Sequence, residues 1–189
     1  MNRSRDGSTP KAPWSRSTLA AGACLVAGLA LFLSFTDNAY TVYLTLHVIA
    51  AVIWVGGDLT LTTLGIRYER LGDTATLAVL GKVGTWIGTR VYTPAAFLAV
   101  AFGIALMAEG DLDWGQFWVV FGLVGWAVAT VVGVGFVGPE LGRIDRAAQE
   151  HGPESDEVRR RVRRLFAIFR FDTVLLMLIV VVMAAKPSF

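Results

Sequence analysis

The segment His47-Val-Ile-Ala-Ala-Val-Ile-Trp54-Val-Gly56-Gly57-Asp58 holds two ionisable side chains in an otherwise apolar stretch. On a helix, His47, Ala51, Trp54 and Asp58 share one face, and His47 and Asp58 stand ~16 Å apart along the axis. They cannot touch, so they mark two separate sites. Ionisable residues inside an apolar span are costly and point to function or to a paired partner. His47 is expected either to hydrogen-bond a neighbouring helix or to serve as an axial haem ligand or a copper ligand. Met107 and Met183 fall near the same outer depth, whereas a second intramembrane histidine for bis-histidine ligation is missing. Gly56-Gly57 removes bulk beside Trp54, so another helix or a flat ligand can approach the backbone there.

The inner site gathers more charge. Asp58, Arg90, Glu140, Arg143, Arg170 and Asp172 all fall at similar depth by sequence. Buried charges must be paired. The expectation is an intramembrane salt-bridge network that ties the second, third and fifth spans, with Arg90 as counter-ion to Asp58. Pro94 cannot donate to the carbonyl of Arg90, which leaves a free acceptor there. Arg170 and Asp172 are two residues apart and point to roughly opposite sides of a helix. Asp172 is expected to face inward, because arginine can snorkel outward. The competing use of this site is a proton or ion pathway through Asp58 and Asp172.

The elements that position these residues follow from composition. Of 189 residues, 54% are hydrophobic and 17% charged, and the apolar residues are bunched in runs near the ~20 residues that a spanning helix needs. This excludes an ordinary water-soluble globule. Unbroken apolarity excludes a barrel, whose strands alternate. The expected fold is all-α: a polytopic membrane protein with spans at about 19–35, 40–66, 88–108, 115–138 and 165–185. Spans two to five form an antiparallel four-helix bundle with the first packed outside. Residues 1–17 read as a disordered basic cytoplasmic tail, and 18–189 as a single membrane domain. A helix on the membrane surface is expected within Arg67–Thr89. Leu141–Glu150 extends the fourth span until Gly152-Pro153 breaks it, and Ser155, Asp156 and Glu157 start a new helix. A cleaved signal peptide would need a small-x-small pattern that Thr36-Asp37-Asn38 lacks. No pair of broken helices and no inverted repeat stands out, which counts against a transporter.

All Lys and Arg residues except Lys186 flank the spans on one side, and Asp37, Glu109, Asp111 and Asp113 lie on the other. The positive-inside rule then puts the N-terminus in the cytoplasm and the C-terminus outside. The run Arg159-Arg160-Arg161-Val162-Arg163-Arg164 is expected to retain the fifth span and touch anionic lipid headgroups; nucleic acid is not an expected partner. One cysteine and two histidines exclude a multi-cysteine or histidine-rich metal cage. There is no Gly-Lys phosphate loop, Gly-x-Ser-x-Gly elbow or HExxH.

The stretches LHVIAAVIWVGG, WIGTRVYTPAAFLAVAFGIAL and WVVFGLVGW with VGPELGRI resemble the bacterial integral-membrane family called domain of unknown function 2269. The resemblance runs from Leu46 to about Pro187. It implies a multi-pass protein of a bacterial plasma membrane and no particular activity. More distantly, the spacing of His47, Trp54 and Gly56 is similar to that in copper-resistance-D-like proteins and membrane protoporphyrinogen oxidases. That likeness implies haem binding at His47, although Lys82 falls between spans and gives no counterpart to the oxidases' lysine-bearing helix.

Three functions follow, in order of expectation. The first is a non-enzymatic accessory or interaction protein with no cofactor, acting through a protein partner or as a homo-oligomer. The second is a redox protein binding haem b or copper at His47. The third is a small proton-coupled transporter using Asp58 and Asp172.

Overall fold

The computed structural model describes residues 16–152 and 155–187. Of the tail expected to be disordered, residues 1–15 lie outside the described residues. Every regular element among the described residues is helical: α1 (Arg16–Ser34), α2 (Ala39–Leu71), α3 (Thr74–Ile87), α4 (Thr93–Glu109), α5 (Phe117–Val132), α6 (Gly138–His151) and α7 (Asp156–Ala185). A π-helical turn, Gly88–Tyr92, joins α3 to α4, and a second, Gly133–Val137, joins α5 to α6. The chain divides into two units, Met1–Val42 and Tyr43–Phe189. The first apolar run of the sequence forms α1, a helix of 19 residues in the first unit.

Among the described residues, four helices are long and apolar enough to cross a membrane: Ala39–Leu71, Thr76–Glu109, Phe117–His151 and Asp156–Ala185. Their lengths of 30 to 35 residues exceed the ~20 needed for the hydrocarbon core. The excess sits at the basic end of each helix. The surface helix expected within Arg67–Thr89 is instead the first part of a continuous helix that enters α4, with Gly81, Gly84 and Gly88 all kept in right-handed helical backbone.

Local chemistry sets the ends. Gly72 (φ 68°) and Gly152 (φ 87°) supply the left-handed turns after α2 and α6. Asp73 accepts from the Thr76 amide at 2.9 Å to cap α3. Ser155 caps α7 on the Val158 amide, and Asp156 and Glu157 place acid in its first turn.

The two π-turns share one cause. Each begins at a glycine six positions before a proline, Gly88 before Pro94 and Gly133 before Pro139. Proline lacks the amide that would bond four residues back, and its ring crowds that carbonyl. Widening the helix relieves both problems. In the first turn the Thr93 amide bonds the Gly88 carbonyl, five residues back. Arg90 thus lies within a wider helix rather than marking a helix start.

Packing differs along the helices. At the basic end, Leu77, Ile144, Ala147, Val158, Val162, Leu165 and Phe166 form a core shared by α3, α6 and α7. Further along, contacts rest on small residues. Gly65 of α2 lies under the Phe166 ring, and Gly122 and Gly125 of α5 lie against Met183 and Ile179 of α7. Helices immersed in lipid gain little from the hydrophobic effect between themselves, so close approach at small residues takes over. Val52, Val124, Val131 and Val181 are exposed and suit a lipid-facing surface.

A side chain at Gly65 would collide with Phe166, so Gly65→Ala should destabilise by ~1–3 kcal/mol through overpacking. Gly142, in α6, has open space around it, and Gly142→Ala should gain up to ~1 kcal/mol from helix propensity. Unfolding in detergent checks both; equal effects would contradict the packing at Gly65.

Candidate functional site

A cavity of about 320 Å³ lies between α2, α3, the two π-turns, α4, α5 and α7. Its walls include Trp54, Tyr92, Phe97, Phe166 and Phe169, with Asp58 and Asp172 as its two charged residues. Gly88, Thr89 and Tyr92 of the first π-turn and Gly133, Val134 and Val137 of the second line it. Wider helical turns of this kind are frequent at functional sites. Both helices run on without a break, and the prolines widen each of them where it faces this cavity.

Asp58 lies on α2 one turn after Trp54, and its Oδ2 accepts a hydrogen bond from the buried Thr173 hydroxyl. That hydroxyl is also 2.8 Å from the Thr62 hydroxyl and 2.9 Å from the Phe169 carbonyl oxygen. Thr62 and Thr173 bring two protons to this cluster. Thr62 can donate to Thr173, but Thr173 can donate to Asp58 or to Phe169, not both.

Asp172 sits on α7 one turn after Phe169. Its Oδ1 is buried and has no hydrogen-bond partner among the described residues. The Tyr92 ring packs on Gly57, where any side chain would overlap it. The access expected at Gly56-Gly57 is therefore filled at Gly57 by this tyrosine, while Gly56 keeps open space.

The arginines go elsewhere. Arg90 stacks over Trp86, 5.0 Å from the ring centroid, rather than pairing with Asp58. Glu140 is 2% exposed and is held at 3.0 Å by both Arg143 and Arg161; Arg161 also pairs with Glu157. Arg170 reaches back to Glu69 at 3.0 Å. The six residues expected to form one network are distributed over a Glu140 cluster, an Arg170–Glu69 pair, a stacked Arg90, and the two acids of the cavity. Arg90 lies in the first π-turn and Arg170 midway along α7, and their long side chains reach partners other than Asp58.

His47 stands apart from this cavity. Its Nδ1–H donates to the Ala99 carbonyl oxygen at 2.7 Å, and its ring lies against Gly103 of α4. That bond fixes the tautomer and leaves Nε2 as the nitrogen with a lone pair. No group of three or more His, Cys, Asp or Glu side chains placed to hold a metal ion occurs among the described residues.

Sequence reasoning missed Glu69, Tyr92, Arg161, Thr62 and Thr173. The tyrosine and both π-turns were signalled by the repeated Gly-x5-Pro spacing. The threonines carry no comparable signal, because a threonine in a span usually bonds its own helix, as Thr60 and Thr63 do.

A family model described as "Predicted integral membrane protein (DUF2269)" matches residues 41–187, and the chain belongs to this family. No curated protein and no solved structure matches it.

Glu140→Ala would leave two guanidinium groups without their shared carboxylate. Breaking a buried pair costs ~3–5 kcal/mol; since Arg143 and Arg161 keep partial access to solvent, about 3 kcal/mol is expected. Lys82→Ala removes only the exposed Lys82–Asp145 pair and should cost about 0.5 kcal/mol. Denaturant titration in detergent distinguishes them; a Glu140→Ala protein as stable as Lys82→Ala would show that the cluster contributes nothing.

Proposed function

We propose that this member of the family is a non-enzymatic protein of the bacterial plasma membrane that takes up a proton at the Asp58–Asp172 cavity and couples that uptake to passage of a small solute. One observation carries the reading: two carboxyl groups line an intramembrane cavity whose walls, among the described residues, contain no Lys, Arg or His. An ionised carboxylate in apolar surroundings without a counter-charge is strongly unfavourable. A proton or a cation from outside the chain is what can neutralise it.

Asp172 has a buried oxygen without a partner, and a proton or a solute donor would occupy it. The two π-turns give each of two spanning helices a compliant point beside the cavity.

In the bilayer, α1 serves as a first span and the four long helices as spans two to five in an antiparallel bundle. Contacts running in opposite numerical order support this arrangement: Gly65 with Phe166 and Asp58 with Thr173, Gly122 with Met183 and Gly125 with Ile179. The basic end faces the cytoplasm and anionic headgroups, with Lys186 outside. A haem or copper site at His47 has less support, because no group of three or more His, Cys, Asp or Glu side chains gathers around a metal position among the described residues. A role limited to binding another membrane protein would leave the two cavity acids without a purpose.

Infrared spectra of the purified protein at a series of pH values should contain a protonated-carboxyl band that responds to pH. Asp172→Asn should remove a large part of it and Asp58→Asn most of the remainder. A wild-type spectrum without such a band, or a band unchanged in both variants, would rule out proton uptake here. For the topology, an externally confined thiol reagent should label Glu109→Cys and not Ala148→Cys, in a Cys24→Ser background; the reverse pattern would invert the orientation.

A further inference from the structure

The chemistry of the cavity wall selects among solutes. We infer that the solute is a small organic cation with an aromatic or similarly flat apolar body, bound in exchange for the proton. The inference rests on the proton-uptake reading and specifies its substrate class.

Each acid of the cavity has a ring one turn away on its own helix and on the same face. Trp54 precedes Asp58 on α2, and Phe169 precedes Asp172 on α7; all four line the cavity. An ammonium group at either carboxylate therefore meets a negative charge and an aromatic face together. A cation over an aromatic ring gains from the ring quadrupole, most of all where water is excluded. Tyr92 and Phe97 supply further apolar wall. An anion would meet two carboxylates and no base. A neutral polar solute would gain nothing from the two charges, and two of the wall's threonines turn inward on their helix: Thr85 bonds the Gly81 carbonyl and Thr89 the Thr85 carbonyl.

Asp172 is the better anchor. Its Oδ1 lacks a partner, whereas Asp58 is engaged by Thr173. Size sets a limit as well. A volume of about 320 Å³ corresponds to roughly ten waters at ~30 Å³ each, at the lower end of ligand pockets. This admits a single-ring amine or quaternary ammonium. Proton and cation neutralise the same carboxylates, so each displaces the other, and exchange follows without a separate coupling device.

Benzyltrimethylammonium, whose charge does not depend on pH, is a suitable probe for equilibrium dialysis against the full chain in detergent. Saturable binding near one per chain is expected, weakening as pH is lowered. Its uncharged isostere neopentylbenzene and the anion phenylacetate should bind at least about tenfold more weakly. Asp172→Asn should lose about tenfold or more in cation affinity, while Glu109→Gln, an exposed acid away from the cavity, should bind as wild type. If Asp172→Asn lacks a cooperative melt, Trp54→Leu takes its place and should also weaken the cation. Equal binding of the neutral isostere, undiminished binding by the variants, or no saturable binding of the cation would overturn the inference. The infrared band separates the two levels: a pH-responsive carboxyl band without cation binding leaves proton uptake standing and removes only the organic cation.

Discussion

A carboxylate placed in hydrocarbon needs a counter-charge, and the arrangement of this chain follows from where its arginines can reach. They cluster at one end, where they have closer uses. Glu140 takes Arg143 and Arg161, Glu69 takes Arg170, and Trp86 and Phe136 take Arg90 and Arg164 through their ring faces. These interactions hold the basic ends of α2, α6 and α7 in register. They also leave Asp58 and Asp172 beyond the last arginine. The negative cavity is thus the consequence of a charge arrangement completed one or two turns away, and its chemistry is defined by what that arrangement omits.

The long helices were legible because lipid permits few alternatives. With no water to satisfy backbone groups, each apolar run long enough to cross had to be helical, and the breaks at Gly72 and Gly152 carried ordinary turn chemistry. The helix caps at Asp73 and Ser155 were similarly local. The pairing of charges was not legible. Depth alone placed Asp58 and Arg90 together, but depth does not report azimuth, and Arg90 follows Trp86 by four residues on its own helix, so it stacks there at no cost in sequence distance. The Glu69–Arg170 pair bridges segments about a hundred residues apart, and nothing near either residue announces the other. Asp172 was placed inward by its two-residue offset from Arg170, an argument that holds on any helix; its lack of a partner could not be read, since that depends on three other helices.

Two prolines account for much of what the hydropathy pattern hid. Hydropathy treats Gly88–Tyr92 and Gly133–Val137 as uninterrupted apolar helix or as its edge. Proline chemistry does not: a missing amide six residues after a glycine asks for a wider turn. Because the same spacing recurs in two helices, the two wide turns come to lie around one space. Tyr92, the last residue of the first turn, is carried onto Gly57 of α2, and the glycine is what allows that approach. The cavity therefore has a sequence origin, but one expressed in spacing rather than in residue type.

The two ends of the molecule then have different mechanical character. At the basic end, the apolar cluster of α3, α6 and α7 is dense and built on branched side chains, so displacing one of these helices disturbs the others. In the half that faces lipid, contacts such as Gly122 with Met183 and Gly125 with Ile179 join helices through short, flat surfaces, and neighbouring lipid can replace lost apolar contact at little cost. The π-turns lie where these two regimes meet. A helix is easiest to bend where its hydrogen-bond pattern is already interrupted, so movement of α4 and α5 relative to a fixed base would be absorbed there, at the wall of the cavity, and would alter the surroundings of Asp58 and Asp172 before those of Glu140 or His47.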